Sequence, residues 1–277
     1  MKIYTLVENS KKAGSPFMNE HGLSLYFECN GKRILLDTGA SGAFIYNATL
    51  HGIDLGKVDI CVISHAHWDH TGGLAHFLDI NDRARVYMKT AAKGDIYTRR
   101  MFRYERSGID PAFFEKYGGR ITFIDGDTPI TPDVTAAAIK TYRHPPQFTS
   151  LMYVKTADGF ARDDLAHELF LAVNTRDGVI VLTGCAHHGI INIAKTAQEK
   201  FGSIYAVIGG FHLNGSRRFG LRFKKESMHE VRTVARFFHK NGIGKIYTGH
   251  CTGEKPLEKL QMHSRTKKMF SGDIITL

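Results

Sequence analysis

Within the six positions His65-Ala66-His67-Trp68-Asp69-His70 the chain places three imidazoles and a carboxylate. Imidazole and carboxylate are donor types that divalent zinc, iron and manganese all accept. Residues 58–63, just before them, form a short apolar run rich in β-branched residues, which reads at that length as a buried strand rather than a helix. Side chains alternate faces along an extended segment, so His65 and His67 project the same way and can meet one cation. Asp69 and His70 follow a turn, where neighbours diverge. They are placed to reach a second cation about 3.5–4 Å from the first, as two-metal hydrolytic sites require. Thr71-Gly72-Gly73 then lets the backbone pass close to the site and opens a helix.

Three further apolar strands end in histidine. Residues 179–183 run into Gly184-Cys185-Ala186-His187-His188-Gly189, residues 204–208 into Gly209-Gly210-Phe211-His212, and residues 243–248 into Gly249-His250-Cys251. Loops at one edge of an α/β sandwich converge on a common crevice. His65, His67, Asp69, His70, His187, His212 and His250 are therefore the expected metal ligands, with Asp69 also the expected catalytic proton acceptor. His188 and His144 stand in reserve. Asp37, at the end of strand 32–36, has two readings: it orients a ligand histidine or nearby amides, or it caps the helix over 42–50. Cys185 is expected beside or behind the ligands, since a thiolate is itself a competent donor.

The elements that position these groups are legible in outline. Residues 2–7, 23–29 and 32–36 read as strands, the last two joined by Asn30-Gly31, a type I′ hairpin signal. Residues 9–21 form a polar loop expected to border the site. After the central motif the pattern predicts a helix from 74, a strand over 85–88, a helix over 90–100 and a strand over 120–124. Residues 101–117 mix aromatic and charged side chains, among them Phe102, Arg103, Tyr104, Arg106, Phe113, Phe114 and Tyr117. An insertion near 100–118 of that composition suits a substrate wall or lid, with core packing as the competing fate. Farther on, 165–173 and 179–183 read as a hairpin around Asp177-Gly178, followed by a helix over 190–200. Met228, Val231, Val234 and Phe238 mark one face of a further helix. The likeness of Val62-Ile63-Ser64-His65-Ala66-His67 to Val181-Leu182-Thr183-Gly184-Cys185-Ala186-His187 predicts a structural duplication. No Pro- or Ser-rich linker divides the chain, so residues 1–277 are expected to form one domain of two packed halves.

The 277 residues, 43% hydrophobic and 23% charged, have the composition of a soluble globular protein. No secretory pattern opens the chain and no apolar stretch is long enough to span a bilayer, so a cytoplasmic location and no membrane partner are expected. Cys29, Cys61, Cys185 and Cys251 lack the spacing of a disulfide framework or zinc knuckle. The net charge of +10 is partly local: Arg217, Arg218, Arg222, Lys224 and Lys225 fall within nine residues. That density suits a small anionic or phosphorylated substrate, with Arg217, Arg218 and Arg222 as its expected contacts. No recognised nucleic-acid-binding motif accompanies the charge.

Residues 65–70 match the H-x-H-x-D-H signature of the metallo-β-lactamase fold superfamily, and Leu35-Leu36-Asp37-Thr38-Gly39 resembles its L-x-D-T-G segment. The blocks at 183–192, 208–213 and 248–253, with Glu20-His21-Gly22-Leu23-Ser24, look like the G-C-x-H, G-G-F-H, H-C-T-G and E-H-G-L-S blocks of one branch. That branch includes proteins named dihydropterin–ribofuranosylaminobenzene phosphate synthases and many metal-dependent hydrolases. The resemblance implies an α/β fold, a four-layer αββα sandwich with two similar halves. It also implies two divalent metal ions, zinc foremost, with iron or manganese as alternatives. In the superfamily a third histidine completes the first site, a carboxylate bridges the metals and a late histidine completes the second. Here Cys185 stands where the bridging aspartate would be, and His212 is a candidate to take its place. The implied activity is hydrolysis of an ester or phosphodiester by a water shared between two metals. The alternatives are a pterin-transferring synthase in methanopterin-type cofactor assembly and a non-catalytic, metal-stabilised binding protein.

Overall fold

The computed structural model describes residues 1–140, 151–213, 217–218, 221–222 and 224–277, with the backbone alone for 217–218, 221–222 and 224–227. In the first half, β1 (Lys2–Val7), β2 (Ser24–Cys29) and β3 (Lys32–Leu36) form an antiparallel meander that β4 (Ile60–Val62) and β5 (Arg85–Lys89) extend in parallel. The chain then leaves the sheet through β6 (Ile96–Arg100) and β7 (Arg103–Arg106) and returns as β8 (Ile121–Ile124), parallel to β5. In the second half, β9 (Thr128–Thr131) and β10 (Val134–Ala138) begin a new sheet, while β11 (Met152–Thr156) and β12 (Gly159–Arg162) join β6 and β7 in a small four-stranded sheet. Next, β13 (Leu169–Thr175) and β14 (Gly178–Thr183) complete the second meander, and β15 (Ile204–Gly210) continues it in parallel. After a ribbon of β16 (Arg217–Arg218) and β17 (Leu221–Arg222), β18 (Lys245–Gly249) and β19 (Thr266–Lys268) extend the parallel run, and β20 (Ile274–Thr276) closes beside β1. The two seven-stranded sheets run β20-β1-β2-β3-β4-β5-β8 and β19-β18-β15-β14-β13-β10-β9.

Strand alternation explains why the sheets stack. In β14, Ile180 and Leu182 join a core with Ile34, Leu36 and Val62 of the first sheet, while Val179 and Val181 face the other way. Strands apolar on both faces need cover on both. The outer face of the first sheet is covered by α1 (Ala43–Leu50), α3 (Leu74–Ile80) and α4 (Pro111–Tyr117), through Phe44, Ala48, Leu74, Phe77, Phe113 and Phe114. The four-residue α2 (Trp68–Thr71) precedes α3. The second sheet is covered by α5 (Ile190–Phe201), α6 (Lys224–Lys240) and α7 (Glu254–His263), through Ile193, Val231, Phe238 and Leu260. The result is the four-layer αββα sandwich.

Two sequence expectations need correction. The predicted helix over 90–100 is a single 3-10 turn, Thr90–Lys93, followed by β6. Gly94 breaks the helix, and Ile96, Tyr97 and Thr98 prefer a pleated surface where β7 and β11 supply partners on both sides. The duplication is real but shifted by one strand. In each sheet the last antiparallel strand of the meander is followed by parallel strands, so β14 corresponds to β3, not to β4. The equivalent segments are therefore Leu35-Leu36-Asp37-Thr38-Gly39 and Val181-Leu182-Thr183-Gly184-Cys185. The hairpin signal at Asn30-Gly31 holds, with positive φ at both residues (51° and 69°). At the other hairpin Thr175 pairs with Gly178, leaving Arg176 and Asp177 as the loop. In the stretch 101–117, Phe113, Phe114 and Tyr117 pack on the first core, whereas Phe102 is exposed at the turn between β6 and β7.

Leu182→Ala, which empties part of the space between the sheets, is expected to cost about 2–5 kcal/mol. Gly31→Ala, strained but open to solvent, should cost about 1–2 kcal/mol. Urea unfolding of both variants checks the order, and a larger loss at Gly31 would contradict the inter-sheet core.

Candidate metal centre

In each sheet the parallel strands end at one rim, and the chemistry-bearing residues lie just beyond those ends. Asp37 follows β3, Ser64 to His70 follow β4, Cys185 and His187 follow β14, His212 follows β15 and His250 follows β18. The Leu169 N–H donates to Ser64 O (2.8 Å), tying the two halves together at this rim, while the Gly210 N–H donates to Gly184 O (2.7 Å) within the second half. Gly184 permits the approach, because a Cβ there would collide with the Ser64 side chain. Asp37, Ala186, His212 and His250 all have positive φ, between 46° and 60°. Each such residue costs roughly 1–2 kcal/mol, so the fold maintains strain at this place.

Asp37 fixes the first imidazoles. Its carboxylate accepts the Ser64 N–H (2.7 Å), the Ser64 hydroxyl (2.6 Å) and His70 Nδ1–H (2.7 Å). Because the hydroxyl gives its proton to Asp37, it accepts from His65 Nδ1 at 2.9 Å. His65 Nε2 is left with its lone pair, buried and without a hydrogen-bond partner. These tautomers follow from the partners rather than from visible protons. The same logic applies to His250: Asn9 Oδ1 already accepts the Gly22 N–H (3.1 Å), so at 2.8 Å it must also accept His250 Nδ1–H.

Two sets of donors result. His65, His67 and His187 form a near-equilateral triangle of rings with centroids 4.7–4.8 Å apart, and His67 Nδ1 lies 3.0 Å from His187 Nε2. In the second set, His70 Nε2 and His250 Nε2 lie 3.1 Å apart, with Asp69 Oδ2 3.2 Å from His250 Nε2 and 3.8 Å from His70 Nε2. Nitrogens bound tetrahedrally to one zinc sit about 3.3 Å apart, given bonds of roughly 2.0–2.1 Å. Two lone pairs facing each other at 3.1 Å repel unless a cation, or a proton, lies between them. The donor set thus fits a metal.

Cys185 stands between the sets. Its Sγ is 3.2 Å from His70 Nε2, and its donor atom groups within 4.8 Å both with Asp69, His70 and His250 and with His65 and His187. The thiol thus lies within reach of the candidate donors of both sets. His212 packs on the His187 ring at 4.4 Å and shares a third group with Cys185 and Cys251. Of the reserve histidines, His188 is paired with Glu168 at 2.7 Å, and His144 lies outside the described residues. Arg217, Arg218 and Arg222 fall on the β16–β17 ribbon, but their side chains are outside the described residues.

The electrostatics match the donor geometry. Burial, then neighbouring imidazoles, hold His65 and His187 well below the usual histidine range, and burial brings His67 down to about 3. All three are neutral donors at physiological pH. Burial alone would raise Asp69, but His70 and His250 draw its carboxyl below the ordinary range. Burial would likewise lower His250, yet Cys251, Asp69 and Glu8 together lift it to about 9.

Several positioning groups escaped the sequence reading. Glu168 is buried and accepts the N–H groups of His187 (2.6 Å) and His188 (2.8 Å), shaping the loop after β14. Glu8 accepts the His250 N–H. Asn9 also donates to His21 Nδ1 (3.1 Å) and to His250 O (3.3 Å), so the polar loop after β1 does border the site. His167, paired with Asp163 at 3.0 Å, accepts the Ala66 N–H and packs behind His67. Glu20 accepts the Ala40 and Ser41 N–H groups and braces the loop carrying Asp37. Glu8 and Asn9 had one visible signal, a position just beyond the end of a strand.

Among the described residues, no helix is long and apolar enough to cross a membrane. Residues 20–155 match the family described as the metallo-beta-lactamase superfamily. A 7,8-dihydropterin-6-methyl-4-(beta-D-ribofuranosyl)-aminobenzene-5'-phosphate synthase of Methanocaldococcus jannaschii is 32% identical, over 92% of this chain and 88% of its own length. Among solved structures, Tm1679, a metal-dependent hydrolase of the beta-lactamase superfamily, superposes with a TM-score of 0.81 at 28% identity, covering 100% of this chain and 99% of that one. The metallo-beta-lactamase fold protein YhfI of Bacillus subtilis shares the fold, with a TM-score of 0.57 at 14% identity over 99% of this chain and 98% of its own. With an αββα sandwich, two similar halves and a rim of convergent imidazoles, the chain belongs to the metallo-β-lactamase superfamily.

Proposed function

We propose that this chain is a metal-dependent hydrolase of an ester or phosphodiester carried by a small anionic substrate. One observation supports the reading most directly: two donor sets meet at Cys185, and Asp69 in the second set faces the open edge through the half-exposed His21. Structural metal sites are closed, whereas catalytic ones keep an open side. We assign His65, His67 and His187 to one cation, Asp69, His70 and His250 to a second, and Cys185 Sγ to both. His212, beside His187 and Cys251, is retained as a further donor. Two divalent cations held there would supply Lewis acidity, lowering the pKa of water towards neutrality and polarising an ester or phosphoryl oxygen.

The chain's own groups then have distinct tasks. Asp69 orients the attacking water and takes up its proton. Asp37, through Ser64 and directly, keeps the lone pairs of His65 and His70 turned inward. Glu168 and Glu8 hold the loops that deliver His187 and His250. Arg217, Arg218 and Arg222 are assigned to the anionic part of the substrate. Imidazole with thiolate favours zinc over magnesium or manganese, and iron is the next candidate. Four free cysteines suit a reducing compartment, in keeping with a cytoplasmic location.

The 32% identity to the Methanocaldococcus protein favours a second reading, synthesis of the kind that protein's name describes. Zinc-loaded protein should hydrolyse a chromogenic phosphodiester. Tight dihydropterin binding without hydrolysis would replace hydrolase with synthase, and metal-dependent melting without either would leave a binding role.

Three outcomes are expected. His67→Ala should lose activity and at least one equivalent of metal while far-ultraviolet dichroism is retained; full metal occupancy would contradict the ligand assignment. Cobalt-substituted protein should show a thiolate charge-transfer band that Cys185→Asp abolishes with both metal equivalents kept; a band that survives would place the thiolate elsewhere. Metal and proton compete for the Cys185 thiol, held high by burial and shared by both sites, and at the second site for His250 as well, so between pH 7 and 9 second-site affinity should rise about tenfold per pH unit more steeply than first-site affinity and lose that excess above pH 9. The first site, with its histidines neutral, should show only the slope that the thiol gives. Calorimetric titration across this range distinguishes the two sites.

A further inference from the structure

We propose that Trp68 and His21 form an aromatic platform at the mouth of the metal centre, binding a planar aryl or heteroaryl ring of the substrate. The inference rests on the metal-dependent reading above and adds the substrate's chemical class. Trp68 is the one tryptophan of the chain. It is 44% exposed, although the residues on either side, His67 and Asp69, are 5% and 7% exposed and belong to the donor sets. The first turn of α2 enforces this split: consecutive helical residues diverge by about 100°, so turning His67 and Asp69 inward turns the indole out. The Trp68 N–H donates to Ser107 O at 2.8 Å, anchoring the backbone beneath the ring to the loop after β7.

His21 is held just as firmly. Asn9 cannot flip, because its Oδ1 accepts from Gly22 and His250, so its amide must donate to His21 Nδ1 at 3.1 Å. That leaves His21 Nε2–H directed at Asp69 Oδ2, 3.3 Å away. The His21 side chain remains 56% exposed. Its ring centroid lies 5.6 Å from Trp68, with the planes at 40°, and 5.2 Å from His250, with the planes at 37°. Three rings thus lead from solvent to the buried carboxylate and imidazole of the second donor set. A flat ring laid over Trp68 and His21 would present its substituent to Asp69, within reach of the metal centre. Rigid rings already fixed by hydrogen bonds lose little entropy on stacking, and such a contact strengthens binding by about tenfold or more.

The single indole supplies its own reporter. Metal-loaded full-length protein is titrated with phenyl phosphate and with glycerol phosphate, an aliphatic anion of the same charge, following Trp68 emission and the heat of binding. Phenyl phosphate should quench the emission saturably and bind about tenfold more tightly. In Trp68→Leu, read by calorimetry, that preference should fall to about twofold or less with metal content unchanged. His21→Gln, which keeps a hydrogen-bonding group but removes the ring, should lose part of it. Equal affinity of the wild type for the two anions, no binding of either to fully loaded protein, or an undiminished aryl preference in Trp68→Leu would each overturn the platform. Saturable quenching without phosphodiester turnover would keep the platform and discard the hydrolase; turnover with equal anion affinities would do the reverse.

Discussion

The buried Asp37 carboxylate is the constraint on which the centre depends. It accepts three hydrogen bonds, two from Ser64 and one from His70. Through the hydroxyl of Ser64 it also determines which nitrogen of His65 carries the proton. One carboxylate therefore orients a donor in each of the two sets. Its backbone sits at φ 60°, a conformation that the loop retains because Ser24, Thr38 and Glu20 brace it from three sides. Removing the partner of a buried donor leaves a group that cannot recover its hydration, which is why such supports matter nearly as much as the donors.

Around that fixed point the sandwich brings together side chains far apart in sequence, such as His70 and His250, 180 residues apart, and Asn9 and His250, 241 apart. Parallel strands make this possible, because their ends all lie on one rim and each loop needs only a few residues to reach the crevice. The same economy creates the strain at Ala186, His212 and His250, where short loops turn sharply to aim a side chain inward. Cys185 departs from the bridging carboxylate of the wider superfamily in the way the G-C-x-H block of the resembled branch does. A thiol offers one polarisable donor where a carboxylate offers two oxygens, so two ions sharing it would have to meet at a single atom.

Much of the fold was legible in the sequence because its signals are local. The type I′ turn at Asn30-Gly31, the apolar runs and the dense 65–70 motif each declare themselves within a few residues. The strand Ile96–Arg100 was missed because its justification is the pairing with β7 and β11, which no local pattern reveals. The internal repeat was read one strand out of step because histidine-bearing loops attract attention, while equivalence is a matter of position in the sheet. At the site, the strand-end histidines could be named because a polar residue after an apolar strand stands out. Glu168 could not be, since a lone acidic residue among apolar neighbours shows its role only when the amides of His187 and His188 are seen pointing at it. Cys185 could be read as standing where a bridging aspartate would be, but its reach to both His65 and His70 shows only in space.

The central claim is that the two donor sets hold two ions on either side of one sulfur. Anomalous diffraction from crystals of zinc-loaded protein, collected on both sides of the zinc edge, tests it most directly. The account predicts two peaks about 3.5–4 Å apart, each within bonding distance of Cys185 Sγ, one among His65, His67 and His187 and the other among Asp69, His70 and His250. A single ion, or two ions that leave the Cys185 sulfur unbound, would contradict it.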